Sequence, residues 1–218
     1  MKHARVIYEG VTHDAVESDE QLLLANGPNM GRRVPQEAVV WLPPLQPTPQ
    51  ARTILALGLN YADHAKELEF KAPSEPLVFV KGQASLIGHR SFTHRPAGVK
   101  FMHYECELAV VIGKTAKRVK RDDAYDFIAG YTVANDYAIR DYLENWYRPN
   151  LRVKNRDAGT PLGPWLVDAK DIANPMTLKL QTTVNGQITQ SGNTADMIFN
   201  VPFLIEYFTS FIDRKSVV

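Results

Sequence analysis

Glu105 and Glu107 stand two residues apart in His103-Tyr104-Glu105-Cys106-Glu107-Leu108-Ala109-Val110-Val111-Ile112-Gly113. The Leu, Ala, Val and Ile run closed by Gly predicts a β-strand, and side chains two apart on a strand share a face, so the two carboxylates project together. Gly130-Tyr131-Thr132-Val133-Ala134-Asn135-Asp136 predicts a second strand with Asp136 at its carboxyl end. Were the two strands neighbours, three carboxylates would converge. Such a cluster is costly at low dielectric unless protons or a cation offset it, and an all-oxygen donor set favours Mg²⁺, Mn²⁺ or Ca²⁺ over Zn²⁺. The plainer alternative pairs each acid with a basic residue on a solvated edge.

A second set of reactive side chains surrounds these acids in the sequence. In Leu59-Asn60-Tyr61-Ala62-Asp63-His64-Ala65-Lys66-Glu67, Asn60 could cap a short helix on which His64 and Glu67, three apart, share a face. That spacing permits a proton-transfer pair, with the carboxylate raising the basicity of the imidazole, and it equally permits a surface pair. Lys81 ends the run Leu77-Val78-Phe79-Val80, either snorkelling to solvent or pointing into a site. Arg140, Arg148, Arg152 and Lys154 form the densest basic stretch. With aromatics between them a nucleic-acid surface has to be weighed, but neighbouring acids and balanced charge speak against it. Cations beside a metal better suit a small carboxylate-bearing substrate.

Strands at Ala4–Tyr8, Val39–Leu42, Thr53–Gly58 and Leu77–Gly82 are expected to carry these groups, with a hairpin at Asn185-Gly186 following a strand over Met176–Val184. Helices are expected over Tyr137–Trp146 and Met197–Phe211, the latter with Pro202 in its first turn. Residues 1–50 look like a small N-terminal β appendage ending in the proline-rich linker Pro43–Pro49, and 51–218 like the main domain. Lys and Arg total 25 against 24 for Asp and Glu, a net charge of +1. That balance offers no bulk attraction to nucleic acid or to an acidic membrane surface. A single cysteine excludes an internal disulfide, and neither a membrane-length apolar run nor a secretory leader is present, so a cytoplasmic protein is expected. The sequence contains no glycine-rich phosphate loop, CxxC pair or GxSxG elbow.

Four ordered motifs closely resemble the fumarylacetoacetate hydrolase family. They are Leu59-Asn60-Tyr61-x-x-His64-x-x-Glu67, Pro76-x-x-Phe79-x-Lys81, the His103–Lys114 run with Glu105 and Glu107, and Gly130-Tyr131-Thr132-x-x-Asn135-Asp136-x-x-x-Arg140-Asp141. The resemblance covers about residues 50 to 211. It implies an α+β, predominantly β fold built on a mixed β-roll with short helices, commonly in a homodimer. Glu105, Glu107 and Asp136 are implied to bind Mg²⁺ or Mn²⁺, with His64, Glu67 and Lys154 catalytic and Asn60, Tyr61, Lys81, Tyr137, Arg140 and Thr194 contacting substrate. The implied activity is decarboxylation and isomerisation of 2-oxo dicarboxylic or tricarboxylic acids in 4-hydroxyphenylacetate breakdown, two reactions that share an enolate. An acylpyruvate-type C–C hydrolase is the alternative enzyme, and a non-catalytic 2-oxo-acid-binding relative the alternative outside enzymes. Two departures from the family stand out: Leu143 replaces a glutamine common after the Arg-Asp pair, and the chain ends in Asp213–Val218 where members continue into a Pro-Gly-Asp turn and a Thr-Gly-Thr-Pro strand.

Overall fold

The computed structural model describes residues 1–45, 53–62, 73–142, 150–212 and the backbone of 216–217. The first strands are β1 (Lys2–Tyr8), β2 (Val11–Ser18), β3 (Gln21–Leu24), β4 (Arg33–Val34), β5 (Val40–Leu42), β6 (Thr53–Gly58), β7 (Leu77–Lys81), β8 (Leu86–Ile87) and β9 (Met102–His103). Next come β10 (Cys106–Ile112), β11 (Ile128–Asn135), β12 (Ala138–Ile139), the single helical turn α1 (Leu151–Lys154), β13 (Thr160–Pro161) and β14 (Leu166–Asp168). The hairpin β15 (Lys179–Val184) and β16 (Gln187–Asn193), the helix α2 (Val201–Thr209) and β17 (Ser216–Val217) complete the order. One large sheet runs β4-β3-β2-β1-β14-β11-β10-β17-β6-β7, with β5 also paired to β1. β17 runs parallel to β6 and the other neighbours in this sheet are antiparallel, so the expected mixed, predominantly β fold is what the chain forms.

The central pair β10–β11 separates two apolar layers because its side chains alternate between faces. Val110, Ile112 and Tyr131 look one way, onto Ala124, Val201 and Ile205, so α2 covers that face. Ala109, Val111 and Ala134 look the other way and pack with Leu45, Ile54 and Leu162. Continuing β10 backwards along this second face leads from Ala109 to Glu107 and Glu105. α2 begins where expected of a proline in its first turn: Asn200 caps it by accepting from the Phe203 backbone N–H at 3.0 Å. Burying Val201, Leu204, Ile205 and Phe208 along one stripe stabilises the fold by roughly 1.5–3 kcal/mol per side chain.

Residues 2–42 make their own apolar cluster around Val6, Leu22, Leu24 and Trp41, yet β1 pairs with β14 at Lys2–Val167 and His3–Leu166. Backbone pairing therefore continues across the boundary expected near residue 50. On the other edge of β14, Gly130 allows β11 to pair closely, since a Cβ there would lie 2.3 Å from the Val167 carbonyl oxygen. At the other end, Ser216 and Val217 lie between β6 and β10, pairing with Thr53 and Val111.

Three expected elements are corrected. Of the helix expected over Tyr137–Trp146, the described part is instead the short strand β12, paired Ala138–His103 and Ile139–Met102 with β9, followed by a 3-10 turn over Arg140–Tyr142, and residues 143–146 lie outside the described residues. The competing interaction is visible: the Asp141 carboxylate accepts from the Lys100 and Phe101 backbone N–H groups at 2.9 and 2.7 Å. The strand expected from Met176 begins only at Lys179, because Pro175–Thr177 forms a 3-10 turn capped by Asn174. The helix expected over Met197–Phe211 shortens to Val201–Thr209. The hairpin turn is as expected, with Asn185 at φ 50° and Gly186 at φ 80°, the left-handed pair that a tight two-residue turn requires.

Candidate metal centre

Backbone pairing beyond the strand ends assembles the acids. The Glu105 N–H donates to Asn135 Oδ1 at 3.0 Å and the Asp136 N–H donates to the Glu105 carbonyl at 2.9 Å, which sets Asp136 across from Glu105. Carboxylate oxygens of Glu105, Glu107 and Asp136 all come within 4.8 Å of one another. The expected convergence is thus formed, and it is sheltered, since Asp136 is only 2% exposed.

Three cations brace it. Lys81, at the end of β7, turns inward and donates to Asp136 Oδ1 and, at 2.5 Å, to the Lys154 carbonyl. Lys154, closing α1, donates to Glu105 Oε2 at 2.5 Å and lies 2.8 Å from Asp136 Oδ2. Arg140 donates through Nη2 to Glu105 Oε1 at 2.7 Å. Among the described residues Glu107 has no ion pair or hydrogen bond to its carboxylate. Burial, then Asp136 and Glu105, push its pKa up to about 8 against the pull of Lys154 and Lys81. Burial lowers the pKa of Lys81, with Asp136 opposing. Lys154 shows the reverse balance: burial alone would lower it, but Asp136, Glu105 and Glu107 together outweigh that and hold it above its ordinary value.

Two donors at the centre are left over. Among the described residues the Tyr61 hydroxyl is buried without a hydrogen-bond partner, and so is Arg140 Nε. Burial, followed by the charge of Glu107, raises the Tyr61 phenol far above its usual range, so it remains a donor. Three carboxylates in hard-oxygen geometry, one of them without an ion pair among the described residues, fit a divalent cation of the Mg²⁺ or Mn²⁺ kind, and the donors beside them fit an oxygen-rich ligand.

Of the other expected contacts, Tyr137 is partly buried, its backbone N–H donating to the Gly159 carbonyl at 3.1 Å. The Asn60 amide donates to the Phe199 carbonyl at 3.0 Å and accepts from the Phe199 N–H at 2.9 Å, while the helix it was expected to cap lies outside the described residues. Thr194 is fully buried, its hydroxyl donating to the Pro175 carbonyl at 2.7 Å and accepting from the Leu178 N–H at 2.9 Å. Its one hydroxyl proton is thus used within the protein. His64 and Glu67 lie outside the described residues, as does Leu143. Sequence reasoning passed over Asn155, whose amide accepts from the Gly82 N–H at 2.5 Å and donates to the Val80 carbonyl at 3.0 Å, clamping both neighbours of Lys81. Its adjacency to Lys154 was the one available signal. A cavity of about 720 Å³ between Tyr125, Tyr131, Asp168 and Pro175 lies elsewhere and contains none of these residues.

Residues 53–215 match the family model described as fumarylacetoacetate (FAA) hydrolase, C-terminal. The chain belongs to this family. The 4-hydroxyphenylacetate degradation bifunctional isomerase/decarboxylase of Salmonella dublin is 58% identical over 160 residues, 73% of this chain and 37% of that protein. An oxaloacetate tautomerase of Bacillus subtilis is 42% identical over 159 residues, 72% of this chain and 52% of that protein. The chain therefore spans only part of the length of these relatives. Among solved structures, 5-carboxymethyl-2-hydroxymuconate delta-isomerase from Mycobacterium smegmatis superposes with a TM-score of 0.81 at 32% identity, covering 100% of this chain and 85% of that one. The family assignment agrees with the motifs around Glu105, Glu107 and Asp136.

Proposed function

We propose that this chain is a divalent-metal-dependent decarboxylase and isomerase of 2-oxo dicarboxylic or tricarboxylic acids. The supporting observation is the acid cluster of Glu105, Glu107 and Asp136, ringed by Lys81, Lys154 and Arg140, in a chain 58% identical over 160 residues to an isomerase/decarboxylase. Glu105, Glu107 and Asp136 would hold the cation. When bound, it supplies Lewis-acid stabilisation for negative charge developing on a 2-oxo oxygen. The protein's own part is to bind and hold charge. Lys154 keeps its proton and places a fixed positive charge in a buried site, where such charges are most effective. Arg140 keeps Nη2 on Glu105 and offers Nε, and Tyr61 offers its hydroxyl, so a substrate carboxylate meets two ready donors.

His64, oriented by Glu67, is assigned the proton transfer at carbon that separates decarboxylation from double-bond migration. A homodimer and a cytoplasmic setting belong to the same proposal. Among the described residues no helix is long and apolar enough to cross a membrane. The test is incubation of the Mg²⁺- or Mn²⁺-loaded chain with 5-oxopent-3-ene-1,2,5-tricarboxylate and, separately, with acetylpyruvate. CO₂ release from the first without C–C hydrolysis of the second is expected. Hydrolysis of acetylpyruvate without CO₂ release would replace this reading by that of a C–C hydrolase, and turnover of neither would leave a binding protein.

A further inference from the structure

We propose that Gln190 is the positioning residue that sets the spacing of the metal-binding glutamates, an inference that rests on the reading of Glu105, Glu107 and Asp136 as a cation site. Alternate residues of a strand turn their backbone groups to opposite edges. Glu105 turns its N–H and carbonyl towards β11, where they meet Asn135 Oδ1 and the Asp136 N–H. Cys106, between the two glutamates, turns to the other edge. There β10 pairs with β17 only at Val111, five residues further on, so among the described residues no strand forms ladder hydrogen bonds with Cys106.

Gln190 of β16 takes the place of that missing strand. Its Oε1 accepts from the Cys106 N–H at 2.8 Å and its Nε2 donates to the Cys106 carbonyl at 3.2 Å, so one side-chain amide satisfies both outward groups. The Thr182 hydroxyl, across the hairpin, donates to the same Oε1 at 2.9 Å. Two donors fill the lone pairs of that oxygen and fix which way the amide points. With Cys106 held from one side by Gln190 and its neighbour Glu105 from the other by Asn135, the backbone between the two carboxylates has little freedom to twist. The Cα–Cβ directions of Glu105 and Glu107, and hence the separation of their oxygens, follow from that restraint. Partners that orient metal ligands in this way typically govern affinity by about 10–100-fold when removed.

The experiment is calorimetric titration of Mn²⁺ into the full chain as wild type, Gln190→Leu and Thr182→Val, with the electron paramagnetic resonance of the bound Mn²⁺ and the thermal midpoint recorded for each. Expected are a Kd raised about 10–100-fold in Gln190→Leu, a smaller rise in Thr182→Val, where the amide keeps its partners but loses its orienting donor, and an altered Mn²⁺ spectrum in both. A folded Gln190→Leu with the wild-type Kd and spectrum overturns the proposal, even if its midpoint falls, since that pattern is one of a merely structural tether. Should Gln190→Leu fail to fold, Thr182→Val decides by the same two readouts. Wild-type protein that takes up no Mn²⁺ overturns the cation site itself, an outcome separate from unchanged affinity in the variants.

Discussion

Replacing Lys154 by Met removes a charge from a place where water cannot substitute for it. Its ammonium lies 2.5 Å from Glu105 Oε2 and 2.8 Å from Asp136 Oδ2, and Lys154 and Asp136 are 8% and 2% exposed. Taking away one partner of a buried ion pair costs about 3–5 kcal/mol, because the other is left uncompensated. Arg140 still holds Glu105 and Lys81 still holds Asp136, which places the metal-free cost near the lower end, about 3 kcal/mol. In a chain of this size each kcal/mol moves the thermal midpoint by about 2–4 °C, so the chelator-treated variant should melt roughly 6–12 °C below wild type. Saturating Mg²⁺ should narrow that gap, since the cation binds the folded state and supplies the positive charge the variant lacks; at 100 times Kd such binding stabilises by about 2.7 kcal/mol. Scanning calorimetry of both proteins with and without Mg²⁺ measures this. A metal-free loss below about 1 kcal/mol would mean that Lys154 does not brace buried carboxylates, and a gap indifferent to Mg²⁺ would mean that the cation binds elsewhere.

Glu107 gives a pH dependence. In the metal-free folded chain its pKa stands at about 8 against an ordinary 4.5, so the folded state holds a proton that the unfolded state releases. The stability this confers is full below the lower value and lost as pH rises through about 8; Glu107→Gln should flatten that fall, read from midpoints of chelated protein across the range. Leu204→Ala, in the cluster with Leu55 and Phe208, should cost about 2–5 kcal/mol in chemical denaturation while leaving Mn²⁺ affinity unchanged, which separates fold from site. His64→Ala should retain metal binding and lose about 10²–10⁴-fold in kcat, and an unchanged kcat would return His64 to a surface role.

The parts of this molecule legible in its sequence are those specified locally. An apolar run closed by glycine marked β10, the stretch Gly130–Asp136 marked β11, the two-residue period put Glu105 and Glu107 on one face, and Asn185-Gly186 and Pro202 marked a hairpin and a helix start. What escaped is specified by groups distant in the chain. Lys81 reaches Asp136 across 55 positions, and whether it pointed to solvent or inward could not be told from its own neighbours. Asn60 and Thr194 are likewise tied to distant backbone, that of Phe199 in one case and of Pro175 and Leu178 in the other. The segment after Asp136 has helical composition, yet pairing with β9 and the Asp141 bonds to Lys100 and Phe101 outweigh propensity. Gln190 carried no local signal at all, because its role exists only once the hairpin lies along the edge of β10.

The most direct test of the cation site is calorimetric titration of Mg²⁺ and Mn²⁺ into wild type, Glu107→Ala and Asp136→Ala, with folding verified by circular dichroism. Wild type should bind one equivalent, and both variants should lose most of that binding along with any turnover, because each removes one of the three carboxylate donors found among the described residues. Undiminished affinity in both variants would contradict the assignment of these acids as the metal centre.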